Sequence, residues 1–333
     1  MAKEKEKEEE TETKKGDKEL ELTDLPGIGA TTAGKLEEAG YGDLMSIAVM
    51  TPSDLSSLAD LSETVARKAI AAARKMLHLE FEDATEYLKK RQEVIKINTG
   101  SKNLNALLGG GIETRAMTEA YGAFGSGKSQ LAHQIAVNVQ LPLEKGGANG
   151  KAVWIDTEGT FRPERIKQMC EAQGLDFTKT LKNIFVARAF NSDHQILLAD
   201  KVSELIKNGE PIKLLIVDSL TAHFRAEFAG RGQLADRQQR LNKHLHNLMR
   251  IAEAHNIAVY ITNQVMADPA MMFGDPTRAI GGNIVGHAST YRIYLRKGKK
   301  CSRIAKMIDS PNLPDSETVF FVNEQGLTDE EQS

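Results

Sequence analysis

The run Gly122-Ala123-Phe124-Gly125-Ser126-Gly127-Lys128-Ser129 fits the pattern G-x-x-x-x-G-K-[ST], and each part of it suits a phosphate group. Glycines let backbone N–H groups turn inward and cradle phosphate oxygens. Lys128 brings a point charge to the β and γ phosphates, and Ser129 offers a hydroxyl to Mg²⁺. Upstream, residues 117–121 read as a short strand. From Gln130 onward, residues 130–137 carry apolar side chains at helical spacing. Strand, glycine loop and helix is the order a phosphate loop requires, with the positive end of the helix at the same spot. Residues 122–130 are therefore the expected nucleotide-binding stretch.

Three further residues sit where such a loop needs help. Leu214-Leu215-Ile216-Val217-Asp218 is an apolar strand ending in a carboxylate. A strand-end Asp serves as a turn residue or, beside a phosphate loop, as an anchor of the Mg²⁺ shell; the loop favours the metal role. Trp154-Ile155-Asp156-Thr157-Glu158 places Glu158 just past a strand end, where ligands of open α/β sheets bind. Glu158 can orient a water against a γ-phosphate as a general base, and it can equally be a solvated loop acid or helix cap. Val259-Tyr260-Ile261-Thr262-Asn263-Gln264 ends in two amides. Gln264 can bond the phosphate or its attacking water, or be an exposed loop amide.

The elements behind these residues alternate. Short, β-branched, nearly continuous apolar runs at 152–156, 184–187, 213–218 and 257–263 read as strands of a sheet covered on both faces. Residues 290–296 and 303–308 alternate apolar with polar, as half-exposed antiparallel strands do. The expected core is α/β with a mostly parallel sheet and an antiparallel extension, spanning residues 97–333. Residues 21–78 read as a small all-α domain: a tight turn at Leu25-Pro26-Gly27-Ile28-Gly29, then helices over 31–39, 43–50, from Thr51-Pro52, and over 62–77. Residues 1–20 alternate Lys with Glu, carry almost no apolar side chains and are expected to stay disordered. Residues 79–96 are the connector.

Composition narrows the class. The chain has 333 residues, enough for one large and one small domain, and 41% hydrophobic with 27% charged residues is ordinary for a globular protein. A net charge of −3 gives no global basic field, so contact with nucleic acid must come from local clusters. Cys170 and Cys301 have no metal-ligand spacing and suit a reduced, cytoplasmic compartment. No apolar run approaches the roughly 18 residues of a membrane span, and the Lys/Glu-rich start is not a secretory signal.

Two segments have the makings of a nucleic-acid contact. Residues 223–243 carry Arg225, Arg231, Arg237, Arg240 and Lys243 with Gly230 and Gly232 between them. They read as a solvated charged face or as a flexible phosphate-binding loop. Residues 265–284 form a long stretch holding Met266, Met271, Met272, Phe273, Gly281 and Gly282 without helical or strand period. Such apolar side chains can stack on the bases of a single strand. The turn at Gly27 and Gly29 can hold a DNA phosphate on its amides, or merely join two packed helices. In the connector, Phe81 and Ala84 pack on the chain's own core or plug a neighbouring subunit.

Several motifs in order resemble one family. Phe124 to Lys128, Asp156-Thr157-Glu158-Gly159-Thr160-Phe161-Arg162-Pro163-Glu164-Arg165, Gly230-Arg231-Gly232 with Arg237-Gln238-Gln239, and Thr262-Asn263-Gln264-Val265 are similar to the archaeal RadA recombinases of the RecA superfamily, from about residue 21 to 328. The resemblance implies a RecA-like P-loop NTPase core with a helix-hairpin-helix N-terminal domain, and an ATP- and Mg²⁺-dependent strand-exchange recombinase that forms filaments on single-stranded DNA and also meets double-stranded DNA. It implies Glu158 and Lys128 as catalytic residues and Gln264 as the sensor of the γ-phosphate. Arg165 would pack on adenine. Asp309 and Pro314 would cap the ATP of the neighbouring subunit, and His287 would lie near that interface. Arg225, Arg231 and Arg237 fall in its first DNA-binding loop and Phe273, Gly281 and Gly282 in its second, while Phe81 and Ala84 match its Phe-x-x-Ala polymerisation motif. Ala123 stands where the family often has an acidic residue, and Ser129 replaces the commoner Thr; both fit the loop mechanism.

Overall fold

The computed structural model describes residues 21–77, 83–228, 230–267 and 277–331. The charged tail, Phe81 and Phe273 lie outside the described residues. The chain folds as two units, one ending at Lys90 and the other beginning at Arg91.

In the first unit, short polar side chains start the helices. Asp43 accepts from the Ser46 N–H, Thr51 from Asp54 and Ser62 from Val65, opening Leu44–Val49, Pro52–Ala59 and Glu63–Met76. Pro52 occupies the first turn, where its missing N–H is no loss. With Ala30–Glu38 these helices bury Leu25, Leu36, Ile47, Leu55 and Ile70 in one core. The turn before Ala30–Glu38 requires Gly27: its φ is +83°, and a Cβ there would lie 2.3 Å from Val65 Cγ1. The helix Ala84–Gln92 has no buried residue, and Ala84 at its start is exposed.

In the second unit, β1 (Lys96–Ile97) pairs antiparallel with β2 (Ile112–Glu113). The main sheet takes β3 (Ala116–Tyr121), β4 (Lys151–Asp156), β5 (Ile184–Arg188), β6 (Ile212–Asp218) and β7 (Ala258–Asn263). After the short β8 (Val265–Ala267) and β9 (Thr277–Ala279), it is completed by β10 (Tyr291–Lys297), β11 (Ser302–Asp309), β12 (Glu317–Asn323) and β13 (Gly326–Thr328). The nine-stranded order is β13-β12-β11-β10-β3-β7-β6-β4-β5. From β10 to β5 every pair is parallel, and from β10 to β13 every pair is antiparallel.

Alternation along the buried strands separates two hydrophobic layers. Trp154, Leu214, Ile216 and Tyr260 face one; Val153, Ile155, Leu215, Val217, Val259 and Ile261 face the other. The helix Lys128–Asn138 packs in the first layer and the helix Leu234–His255 in the second, so both sheet faces are covered as the continuous apolar runs require. Because the central strands are parallel, the ends that carry Tyr121, Asp156, Asp218 and Asn263 meet along one edge. Register makes this concrete: Asp156 lies opposite Asp218, and Tyr121 opposite Asn263.

Two expected loops turn out to be more regular. The arginine-bearing segment is helical at Ala222–Glu227, makes a short turn at Arg231–Gln233 and enters the helix Leu234–His255. The cause is an apolar stripe, with Leu241, His244, Leu245, Leu248, Ile251 and Ala252 buried, which the arginine count masked. The Met-bearing segment is closed at its base by β8 pairing antiparallel with β9.

Candidate active site

β3 delivers the chain to the glycine loop, and sterics there leave little choice of residue. A Cβ on Gly122 would lie 2.0 Å from the Leu295 carbonyl oxygen of β10 and 2.8 Å from Ser126 Oγ. Gly127, at φ +106°, is the N-cap from which the helix Lys128–Asn138 starts. The loop, Glu158, Thr160, Arg162, Arg165, Asp218, Thr262 and Gln264 line one open cleft of about 1170 Å³, room enough for a nucleoside triphosphate. Phe124 projects from the loop almost wholly exposed, at 96%.

Inside the cleft, Lys128 Nζ donates to the carbonyls of Gly122 (2.7 Å) and Ala123 (3.0 Å). Burial lowers its pKa from the ordinary lysine value, while Asp218 and Glu158 act in the opposite sense. The hydrogen-bond partners of this ammonium, two loop carbonyls and at 3.4 Å the Ser126 hydroxyl, are all neutral, which favours an anion beside it. Asp218, 2% exposed, accepts from three hydroxyls: Ser129 Oγ (2.7 Å) and Thr160 Oγ1 (2.8 Å) on Oδ2, and Thr262 Oγ1 on Oδ1. Hydroxyls can rotate, so a cation can take the oxygens on which they now converge. One carboxylate and one hydroxyl are too few to cage Mg²⁺ but suit an ion that draws its other ligands from phosphates and water, so the donor set fits.

Glu158 is exposed and receives two hydrogen bonds on Oε1, from Ser219 Oγ and Gln264 Nε2, both at 2.6 Å. The loop that carries it is built by Asp156. Asp156 Oδ1 accepts from the N–H groups of Glu158 (3.2 Å), Gly159 (2.7 Å) and Thr160 (3.0 Å), and Oδ2 from Phe161 (3.3 Å). Arg165 closes the far wall. Its guanidinium donates to Gln130 Oε1 (2.6 Å), Gln168 Oε1 (2.7 Å) and the carbonyls of Asn323 (2.6 Å) and Glu324 (2.9 Å), which fixes a flat cationic surface against the cleft. Burial lowers its pKa without removing its charge.

His133 links the two lips of the site. Its Nδ1 lies 2.6 Å from the Ser129 carbonyl, so it carries the proton, and Nε2 accepts from the Arg162 N–H at 3.0 Å. The ring packs against both Trp154 and Phe161, which also touch each other, and burial lowers its pKa.

The structure thus brings together residues 122–130 with Glu158, Arg165, Asp218 and Gln264. Arg225 joins them: its NH1 lies 3.5 Å from Gln264 Oε1. Arg231 begins the short turn and Arg237 is half-buried on the long helix. Gly281 (φ +94°) and Gly282 (φ +62°) immediately precede the helix Asn283–Ala288, whose last turn bears an exposed His287. Asp309, at the end of β11, and Pro314, in the following loop, do not line this cleft. Sequence reasoning assigned no role to Thr160, Thr262, Ser219, Asp156 or the cleft residue Arg303. The Thr-Asn-Gln and Thr-Glu-Gly-Thr clusters at the strand ends were the available signal for the first two.

Comparison with known proteins agrees with this geometry. Residues 19–75 match the SAM-like helix-hairpin-helix tandem. A protein of Aeropyrum pernix described as "DNA repair and recombination protein RadA" is 53% identical over 311 residues, covering 93% of this chain and 97% of the relative. Residues 90–330, the whole of the sheet and its cleft among them, match the Rad51 description, and the chain belongs to the Rad51 family.

Proposed function

We propose that the chain is an ATP-dependent DNA strand-exchange recombinase of homologous recombination and repair. ATP would bind at residues 122–130, with adenine against Arg165. Mg²⁺, held by Ser129 and Asp218, would neutralise phosphate charge. Lys128 leaves its loop carbonyls for the β and γ phosphates. Glu158, steadied on Oε1 by Ser219 and Gln264, accepts a proton from the attacking water. Arg225, Arg231, Arg237, Phe273, Gly281 and Gly282 belong to the surface that holds single- and double-stranded DNA. Phe81 and Ala84 join one subunit to the next, and Asp309, Pro314 and His287 act across that junction. A heterologous contact of this kind propagates into rings or filaments. A reduced cytoplasm is the setting this reading assumes; Cys170 and Cys301 are free, and among the described residues no helix is long and apolar enough to cross a membrane.

One observation supports this reading above the rest. The acid of the cleft is continuous with the cationic segment: Glu158 to Gln264 at 2.6 Å, then Gln264 to Arg225 at 3.5 Å. A γ-phosphate that draws on Glu158 or Gln264 therefore acts directly on the segment offered to DNA. The test is strand exchange between a single strand and a homologous duplex, with and without ATP. Exchange that requires ATP and homology is expected, and its absence with both would overturn the reading.

A further inference from the structure

Beneath the half-buried Gln264, the preceding residue makes a second set of connections. Side chains alternate along a strand, so Gln264 enters the cleft while Asn263 points to the buried side. Asn263 is 0% exposed and uses its whole amide. Nδ2 donates to Glu119 Oε1 (2.8 Å) and to the Ile280 carbonyl (2.6 Å), and Oδ1 accepts from Thr221 Oγ1 (2.9 Å). Each partner belongs to a different working part. Glu119 is on β3, which runs directly into the glycine loop. Thr221 precedes the helix Ala222–Glu227 that bears Arg225. Ile280 adjoins Gly281 and Gly282 at the base of the Met-bearing segment.

Glu119 extends the connection. It is 0% exposed, and its other oxygen accepts from Arg292 Nε at 2.7 Å. Arg292 in turn lies against the helix Asn283–Ala288: a Cβ on Gly286 would be 2.8 Å from its NH1. A buried carboxylate held by one guanidinium and one amide tolerates the loss of neither, and a fully satisfied buried network has few alternative arrangements. Asn is also the side chain suited to the junction. It donates twice, to a carboxylate and a carbonyl, and still accepts from a hydroxyl.

We propose that Asn263 is the positioning residue that couples the nucleotide loop to both nucleic-acid segments. It fixes Thr221 and Ile280 to the strand that leads into Gly122, so that neither segment moves without the loop. The proposal rests on the recombinase reading, because it presumes that ATP and DNA bind at these two places. Gln264 reports the phosphate at the surface; Asn263 supplies the shared anchor underneath it.

Coupling is reciprocal, so a single ratio measures it: ATP affinity with a saturating thymidine homo-oligonucleotide divided by ATP affinity without it. Asn263→Asp keeps the shape and the acceptance from Thr221 but loses both donations and sets a carboxylate against Glu119. The expected result is a fall of at least about tenfold in the ratio, with DNA-free ATP affinity within about threefold of the parent. Thr221→Val removes one arm and should lower the ratio by a smaller factor. A purely structural role would instead lower the melting temperature and weaken ATP binding equally with and without DNA. A folded Asn263→Asp variant with the parental ratio overturns the proposal. If that variant does not fold, an unchanged ratio in Thr221→Val overturns it. A parent protein that exchanges strands yet shows a ratio of one overturns the coupling alone, whereas a parent that binds no DNA overturns the recombinase reading and this inference with it.

Discussion

Glu158→Gln separates proton transfer from architecture more cleanly than any other change in the cleft. The side chains are isosteric. Both hydrogen bonds converge on Oε1, from Ser219 Oγ and Gln264 Nε2 at 2.6 Å each, so an amide oxygen can accept them in the same place. Each bond changes from charge-assisted to neutral, a loss of about 1 kcal/mol apiece before solvent takes up part of it at this exposed position. Folding stability should therefore fall by less than about 2 kcal/mol. Turnover should fall much further. A positioned general base contributes about 10²–10⁴-fold, or roughly 3–5.5 kcal/mol of barrier, and an amide cannot take the proton. The assay is phosphate release at saturating ATP and single-stranded DNA, paired with titration of a fluorescent ATP analogue. Turnover should drop at least about 100-fold while nucleotide affinity stays within about threefold. Turnover within about threefold of the parent would refute the base. Parallel loss of binding and turnover would show instead that Glu158 serves to hold the cleft together.

Three further outcomes follow from the same geometry. Gly122→Ala forces a Cβ against the Leu295 carbonyl, which β10 holds in place through neighbours on both sides; it should cost about 1–3 kcal/mol and weaken nucleotide binding more than about tenfold, read by thermal melting and titration. Asp218→Asn keeps the fold, because its amide oxygen can still accept from Thr262 while the hydroxyls of Ser129 and Thr160 rotate to accept from its NH₂, but should raise the Mg²⁺ concentration for half-maximal turnover at least about tenfold. Burial pushes His244 from 6.5 down to about 4, so the unfolded chain takes a proton that the folded one refuses between those values. Its stability contribution is complete above pH 6.5 and declines toward pH 4, by about 3 kcal/mol, and urea midpoints for the parent should show a slope over that range that His244→Gln flattens.

What the sequence made legible was whatever has a local cause. Gly122, Gly127 and Lys128 could be read because a phosphate loop needs its glycines and its lysine at fixed spacing. Pro52 and Ser62 could be read because helix starts are settled within a turn. The strands at β4, β6 and β7 were plain from their apolar runs, since both of their faces are buried. The long helix Leu234–His255 was obscured because its outer arginines outweighed, by composition, a buried stripe that only periodicity shows. The position of β10 was half legible: alternation indicated a half-exposed strand, but its parallel pairing with β3 depends on strand order, which no local signal carries. The Asn263 junction was invisible for the same reason, because Glu119, Thr221 and Ile280 approach it from distant parts of the chain.

The strand ends show why residue type alone does not assign a role. Asp156, Asp218 and Glu119 are all buried carboxylates on strands that converge on the cleft. What separates them is the kind of donor each one meets. Asp156 is committed to backbone N–H groups of residues 158–161, donors that cannot turn away without unfolding the loop. Its one side-chain partner among the described residues is the Arg188 guanidinium, 3.4 Å from Oδ1, and what it builds is the loop that carries Glu158. Glu119 is committed to Arg292 and Asn263, partners whose loss would strand a charge in the core. Asp218 alone of the three meets side-chain hydroxyls, which exchange partners at little cost, and it is therefore the one that can hold a metal ion in one state and close on itself in another. Rigid donors make an acid structural and rotatable donors leave it available. By that criterion Asp218 is the carboxylate suited to a cation, Glu158 is the exposed acid of the cleft, and Asp156 and Glu119 are structural.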